Sequence, residues 1–300
     1  MLAVFMSAQG SPTALDAGDI RVPAYAFPEA AAIALARAVR YGEWRSRPVG
    51  ETARPEGLRR DEAAAIVATS LRRGDGWLRP EETRQLLACY DLPFVAQRVV
   101  PDPAGAGQAA EELGGRVALK ALVPGIVHKT ELGGVRLGLE GAAAVRRAAE
   151  EMQVLLATRG YSPSAFLVQE MASEGVEMLV GLIQDPHFGP VVACGAGGVM
   201  VELLRDVSVR LAPLTRDDAT EMIQSLKTYP LLTGFRGRPP GDVRTLEDVL
   251  ARLSALAEDL PQVAELDLNP IIVHPHGAAL VDARIRVAPS APPRPIGARG

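Results

Sequence analysis

The sequence predicts a mixed α/β fold of the α+β kind, and three features carry that prediction. In VALKALVPGIVHKTELGGVRLGL, residues 117 to 139, an apolar strand, a loop and a diglycine lead into a second apolar strand, the order of a β-hairpin. GVEMLVGLIQD and GPVVACGAG read as strands joined by DPHF alone, which fits an antiparallel meander better than a βαβ ladder. Helical stretches separate such strands, among them AAAVRRAAEEMQVLLATRG and PEETRQLLACYDL, the latter with apolar residues at helical spacing.

Taken in order, MLAVFM reads as a buried strand running into the turn SAQGSP, and IRVPAYAF as a second short strand. PEAAAIALARAVRYGEWR is a helix with Pro28 near its first turn. Two strands and a helix cannot bury their own faces, so residues 1–47 read as the end of an α/β domain whose earlier strands are absent. Residues 48–78 form a linker, Pro/Gly-rich RPVGETARPEG, and a helix, RRDEAAAIVATSLRRG. Residues 79–287 mix strands and helices as one domain. FVAQRVV, RVALKALV, RLGLEG and AFLVQEM are strands; GQAAEELG, DDATEMIQSLKTY and TLEDVLARLSALAEDL are helices; VAELDLNPIIVHP is a strand pair and AALVDARIRV the last strand. Residues 288–300, a Pro-rich tail, have the composition of a disordered segment.

Composition narrows the function. Apolar residues make up 48% and charged residues 23% of the 300, the balance of a globular protein with a sizeable core. A net charge of -4 argues against a bulk nucleic-acid binder, whose footprint is basic. No apolar run reaches the ~18 residues that span a membrane, and two cysteines cannot build a disulfide framework, so a cytoplasmic setting is expected. MLAVFM lacks the basic start and the length of a signal peptide.

The chemistry concentrates in few places. Lys120 sits on an apolar strand; alone it reads equally as an edge-strand lysine snorkelling to solvent. The diglycine Gly133-Gly134 thirteen residues on favours a phosphate-binding cation, since open backbone N–H groups and a fixed charge are what a polyphosphate needs. The pattern is neither a P-loop nor a dinucleotide fingerprint. His128 lies between them, and a neutral imidazole accepts a phosphoryl group at nitrogen near neutral pH. Its neighbour Lys129 adds charge or is a solvated loop residue. Glu170 and Glu177 flank the loop of LVQEMASEGVEM, where carboxylates accept from an amino group or from sugar hydroxyls; each alone reads as a surface acid. The GAGG run at Gly195–Gly198 is weak as a nucleotide motif, and Glu202, Asp206 and Arg210 after it read as surface charges. Asn269 and Asp282, arriving from adjacent antiparallel strands, are hard oxygen donors of the kind that hold Mg²⁺ beside phosphate. Asp267 shares the Asn269 strand end, and His274 and His276 decorate the intervening turn.

Together VALKALVPGIVHKTELGGVRLGL, LVQEMASEGVEMLVGLIQDPHFGPVVACGAGGVMVELLRDVSVRLAPL, LLTGFRGRPPGD and ELDLNPIIV closely resemble the ATP-grasp domain of ADP-forming acyl-CoA synthetases, relatives of succinyl-CoA synthetase that include ADP-forming acetate–CoA ligase. The resemblance runs from about residue 79 to about residue 287 and implies an ATP-grasp fold of two subdomains. The N-terminal piece resembles the end of the flavodoxin-like ligase domain that precedes ATP-grasp in single-chain members. The family joins acid, CoA and ATP into acyl-CoA, ADP and phosphate through an acyl phosphate and a phosphohistidine, with Mg²⁺. The resemblance implies that Lys120 binds phosphate, that Gly133, Gly134 and Val135 cover it, and that the His128-Lys129 motif relays a phosphoryl group. It implies adenine and ribose contacts at Glu170 and Glu177, and Mg²⁺ ligands at Asn269 and Asp282. ATP or ADP with Mg²⁺ is the expected cofactor set.

The match lacks the CoA-binding domain and the first phosphohistidine, so a partner domain or subunit is expected to supply both, along with access to the carboxylic acid and CoA. A rival reading is a non-catalytic sensor, as in modules fused to protein lysine acetyltransferases. A stand-alone carboxylate–amine ligase fits less well, because HKTELGG has no role in that chemistry.

Overall fold

The computed structural model describes residues 2–6, 22–46, 50–52, 54–123, 132–198 and 204–290. Contacts divide the chain between Gly50 and Glu51 into two compact units. In the first, strand β1 (Ala3–Val4) pairs in parallel with β2 (Ala24–Tyr25), and helix α1 (Pro28–Ser46) comes next. Ala31 is the buried residue of that helix, while Ile33, Leu35, Val39, Tyr41 and Trp44 are exposed.

The second unit holds two sheets. Helices α2 (Arg60–Leu71) and α3 (Pro80–Cys89) flank the two-residue strand β3 (Gly76–Trp77). Ala63 and Val67 of α2 are buried in the larger core, so this helix belongs to the second unit and not to a linker. The small sheet is antiparallel, in the order β4 (Gln97–Val100), β7 (Ala165–Glu170), β5 (Arg116–Leu122), β6 (Val135–Glu140). Strand alternation sends Val117, Leu119 and Ala121 of β5 toward helices α4 (Pro103–Leu113) and α5 (Ala142–Thr158), where they meet Val145, Met152, Leu156, Phe166 and Val168. Asp102 starts α4 by accepting from Gly105 N–H at 2.8 Å, with Pro103 in the first turn. That helix begins ahead of the GQAAEELG stretch, because the cap lies at Asp102.

The large sheet runs β10 (Val207–Leu211), β9 (Gly189–Ala196), β8 (Val176–Asp185), β11 (Val263–His274), β13 (Ala283–Val287), β3, with β12 (Gly277–Leu280) also on β11. The β8–β9 meander is antiparallel from Met178–Ala196 to Asp185–Gly189. One face is covered by α2, α3, α6 (Arg216–Gln224) and α8 (Val243–Asp259), with the single-turn α7 (Tyr229–Leu232) between the last two. In α8, Leu246, Val249, Leu250, Leu253 and Leu256 follow the helical period and are buried, behind an Asp242 cap that accepts from Thr245 N–H at 3.1 Å.

Several expectations change. VAELDLNPIIVH is a single 12-residue strand with a register shift between Leu268 and Ile271, not a strand pair. AALVDARIRV is two strands, β12 and β13, broken at Val281-Asp282. The diglycine does not make a tight hairpin: β5 ends at Leu122 and β6 starts at Val135, so it closes a longer connection. DDATEMIQSLKTY stops as a helix at Gln224. Asp206 is no surface charge but a buried carboxylate that accepts from Lys227 N–H, Thr228 N–H and Thr228 Oγ1 at 2.9, 2.8 and 2.7 Å. Burial works to raise its pKa, and these bonds outweigh it, holding the group below the usual carboxylate range. It thereby ties the start of β10 to the turn before α7. Among the described residues no helix is long and apolar enough to cross a membrane.

Candidate functional site

A cleft of about 600 Å³ opens between the two sheets, lined by Ala118, Lys120, Gln169, Glu170, Glu177 and Ile272 among others. Its geometry stems from register. On β5, residues 117, 119 and 121 face the helices, so 118 and 120 face the cleft. Lys120 stands opposite Val135 on β6 and Leu167 on β7, which fixes its stem between two strands. Burial pushes the Lys120 ammonium below the usual lysine pKa, and the Asp282 carboxylate pulls it partly back. A buried ammonium facing a cleft has lost its water and gains from an anionic ligand.

Glu170 ends β7 and Glu177 lies near the start of β8, with residues 171–176 of the cleft wall between them. Glu177 is held from behind by the second glycine run. Gly197 N–H donates to the Glu177 carbonyl at 2.8 Å, and Gly198, at φ +58°, packs so close that a Cβ there would overlap the Glu177 carboxylate. The GAGG run is thus a support for Glu177, a role its sequence does not disclose.

Asn269 lies on β11, but Asp282 is not on the adjacent strand: it sits in the break between β12 and β13. The two are neighbours through the backbone, Asn269 N–H donating to the Asp282 carbonyl at 3.1 Å. One Asp282 carboxylate oxygen accepts from Ala283 N–H at 3.0 Å. Asp267, two residues before Asn269, lies opposite Arg284 of β13. Burial raises its pKa, Arg284 opposes that, and Asp282 and Glu265 add to it. Asp282 therefore acts on both Lys120 and Asp267. An amide and a carboxylate joined at one backbone turn suit a hard cation such as Mg²⁺, which takes one or two protein oxygens and completes its shell with phosphate and water. When bound, such an ion neutralises phosphate oxygens. His274 and His276 close the β11–β12 turn, His276 N–H donating to His274 Nδ1 at 3.3 Å. Among the described residues no group of three His, Cys, Asp or Glu is arranged to hold a metal ion alone.

Gly133, at φ +71°, approaches Leu155 of α5 so closely that a Cβ there would lie 2.7 Å from its side chain, and Gly134 O accepts from Ala121 N–H at 2.8 Å. The diglycine thus seats the start of β6, and Val135 with it, beside Lys120. His128 and Lys129 fall outside the described residues. The structure brings Lys120, Glu170 and Glu177 to one cleft, with Asn269 and Asp282 at a turn beside it. Gln169 and Gln97 escape a reading of the sequence; the signal is a glutamine that directly follows a short apolar run in each of two strands, AFLVQE and FVAQRVV.

Known proteins share this fold. The family model of the ATP-grasp domain matches residues 69–287. The β subunit of acetate–CoA ligase (ADP-forming) I from Pyrococcus furiosus is 38% identical over 208 residues, 68% of this chain and 89% of that subunit. The 4-hydroxybutyrate–CoA ligase (ADP-forming) of Nitrosopumilus maritimus is 34% identical over 273 residues; the alignment covers 89% of this chain but 39% of that longer protein. A chain of the acetyl-coenzyme A synthetase 1 of Candidatus Korarchaeum cryptofilum, solved with coenzyme A and Ca-AMPCP, superposes with a TM-score of 0.71 at 38% identity, covering 75% of this chain and all of that one. In another structure of that enzyme, with Mg-AMPPCP and a TM-score of 0.67 at 38% identity, the phosphohistidine segment points towards the nucleotide binding site. These relatives are ligases, and none speaks for a sensor. The chain belongs to the ATP-grasp family, as a component of an ADP-forming acyl-CoA synthetase akin to the β subunits of ADP-forming acetate–CoA ligases.

Proposed function

We propose that the chain binds ATP or ADP with Mg²⁺ in the cleft and passes a phosphoryl group between nucleotide and His128. The observation that carries this is the convergence of Lys120, Glu170 and Glu177 on one cleft, with Asp282 close enough to act on Lys120. Lys120 binds the phosphates, Glu170 and Glu177 receive the adenine amino group and the ribose hydroxyls, and Asn269 and Asp282 hold the ion. Gly133, Gly134 and Val135 lie over the phosphates.

In the transfer, a neutral His128 ring nitrogen forms a bond to the γ-phosphorus while the bond to the bridging oxygen breaks. The electron pair leaves on ADP, whose charge Lys120 offsets. Lys129 adds positive charge beside the travelling phosphoryl group. Such transfers need positioning and charge neutralisation more than covalent assistance from the protein. In the complete enzyme the phosphoryl group then exchanges with a second histidine on a partner domain or subunit. That partner also holds CoA and the carboxylic acid, closing the reaction acid + CoA + ATP = acyl-CoA + ADP + phosphate. The Korarchaeum structure whose phosphohistidine segment points towards the nucleotide supports this order.

The test is labelling with γ-³²P-ATP and Mg²⁺, with and without a CoA-ligase subunit. Acid-labile, base-stable label is expected on the wild type and none on His128→Ala. Equal labelling of both proteins removes His128 from the relay.

A further inference from the structure

Gln169 is 1% exposed and Gln97 9% exposed, and they are direct cross-strand partners on β7 and β4. Gln169 Nε2 donates to Gln97 Oε1 at 3.1 Å and to the Val281 carbonyl at 2.8 Å. Gln169 Oε1 is buried and has no partner among the described residues. The opposite amide orientation would aim that oxygen at the Val281 carbonyl, a fixed backbone acceptor, so chemistry fixes the assignment. A buried orphan acceptor is costly, and an apolar residue of the same size would remove the cost. What the amide supplies in return is its bond to Val281.

That bond crosses from the small sheet to the large one. The Val281 carbonyl belongs to the peptide unit leading into Asp282, so fixing it fixes the plane from which the Asp282 side chain departs. The same turn is also held from the large sheet, by Val281 N–H to Pro270 O and Asn269 N–H to Asp282 O, both at 3.1 Å, and at its entry by Val95 N–H, which donates to the Leu280 carbonyl at 3.0 Å from the segment leading into β4. Ala118, the cross-strand partner of Gln169, lies two residues before Lys120 on the cleft side of β5.

We propose that Gln169, held by Gln97, is a positioning residue for the cation site, fixing the Asp282 turn relative to Lys120 across the cleft. This rests on the reading that Asn269 and Asp282 hold Mg²⁺. Partners behind a metal ligand are worth about 10- to 100-fold in metal affinity.

Calorimetric titration of the full chain with ADP, with and without Mg²⁺, separates the possibilities. Gln169→Met keeps the bulk and removes both donors. It is expected to cut the Mg²⁺-dependent gain in ADP affinity about tenfold, leaving metal-free affinity unchanged. Gln97→Met, which frees one amide hydrogen without touching the Val281 bond, is expected to cut it about threefold, and it decides the question should Gln169→Met fail to fold. Asp282→Asn serves as the reference. If Asp282→Asn loses the gain while Gln169→Met keeps it, the positioning role is wrong. Equal losses with and without Mg²⁺ overturn it as well, since they signal a general disturbance of the cleft. If Asp282→Asn itself keeps the gain, the metal reading falls and takes this inference with it.

Discussion

The small sheet meets the cleft with Lys120 and, at the end of β7, Glu170, whereas the large sheet meets it with Glu177 and has Asn269 and Asp282 at a turn beside it. The two sides are held differently. Lys120 is placed by strand register: with Val117, Leu119 and Ala121 locked in the core, its own direction is set. The acids are placed by turns and close backbone approach, Asp282 in a strand break and Glu177 against Gly198. Strand register tolerates surface change elsewhere, while a turn depends on the few atoms that make it. The cation side should therefore respond to charge, and the acid side to backbone geometry.

The largest expected effect is on the cation side. Lys120→Met should weaken ADP binding by about 2–3 kcal/mol, roughly 30- to 150-fold, within the range for a hydrogen bond to a charged group. Thermal stability should hold or rise, because the variant no longer buries an ammonium. Titration calorimetry and a melting curve check both. A fall in stability comparable to the loss of affinity would make Lys120 a structural residue and break the contrast.

Legibility in the sequence divides along the same line. The pairing order of β5 and β6 and the core helices are readable from hydrophobic period, and the β8–β9 meander from its short connection as well, whereas the length of the β5–β6 connection is not. Lys120 is readable as a cation set between apolar residues on both sides in its strand, VALKAL. Asp282 is readable as a donor, but its place is not: AALVDARIRV looks continuous, and the ladder breaks at Val281-Asp282, with its register unchanged, opposite Pro270, which has no N–H to give back to Val281. The supports of the site are not readable. Gly198 matters because of where Glu177 lies in space, and Gln169 because of a carbonyl 112 residues away in sequence. Local patterns do not record such distances.

A smaller effect is expected on the acid side. Gly198→Ala combines a left-handed backbone, which costs a side-chain-bearing residue about 1–2 kcal/mol, with overlap on Glu177. Loss of affinity for ADP should be about tenfold. Glu177→Ala alone should cost a similar amount, and the double variant little more, because both changes remove one contact. Fully additive losses would show that Gly198 acts elsewhere and that the glycine run is no support for Glu177.

The smallest effect, and the one that most sharpens the contrast, is in pH dependence. Burial depresses the Lys120 pKa below the ordinary lysine value of 10.5. Between that depressed pKa and 10.5 the unfolded chain holds a proton that the folded chain has released, so stability without ligand should rise with pH across the window. Nucleotide binding needs the ammonium, so affinity should fall across the same window. The two slopes are opposite in sign, and both come from one group. Lys120→Arg, charged throughout, should flatten both while keeping an affinity within about tenfold of wild type, since a guanidinium also binds phosphate. No carboxylate of the large sheet can produce this pattern, because carboxylates titrate in the acid range, well below this window. If Lys120→Arg leaves the alkaline fall in affinity intact, the titrating group lies elsewhere, and the assignment of the cation side to register-held Lys120 loses its electrostatic basis.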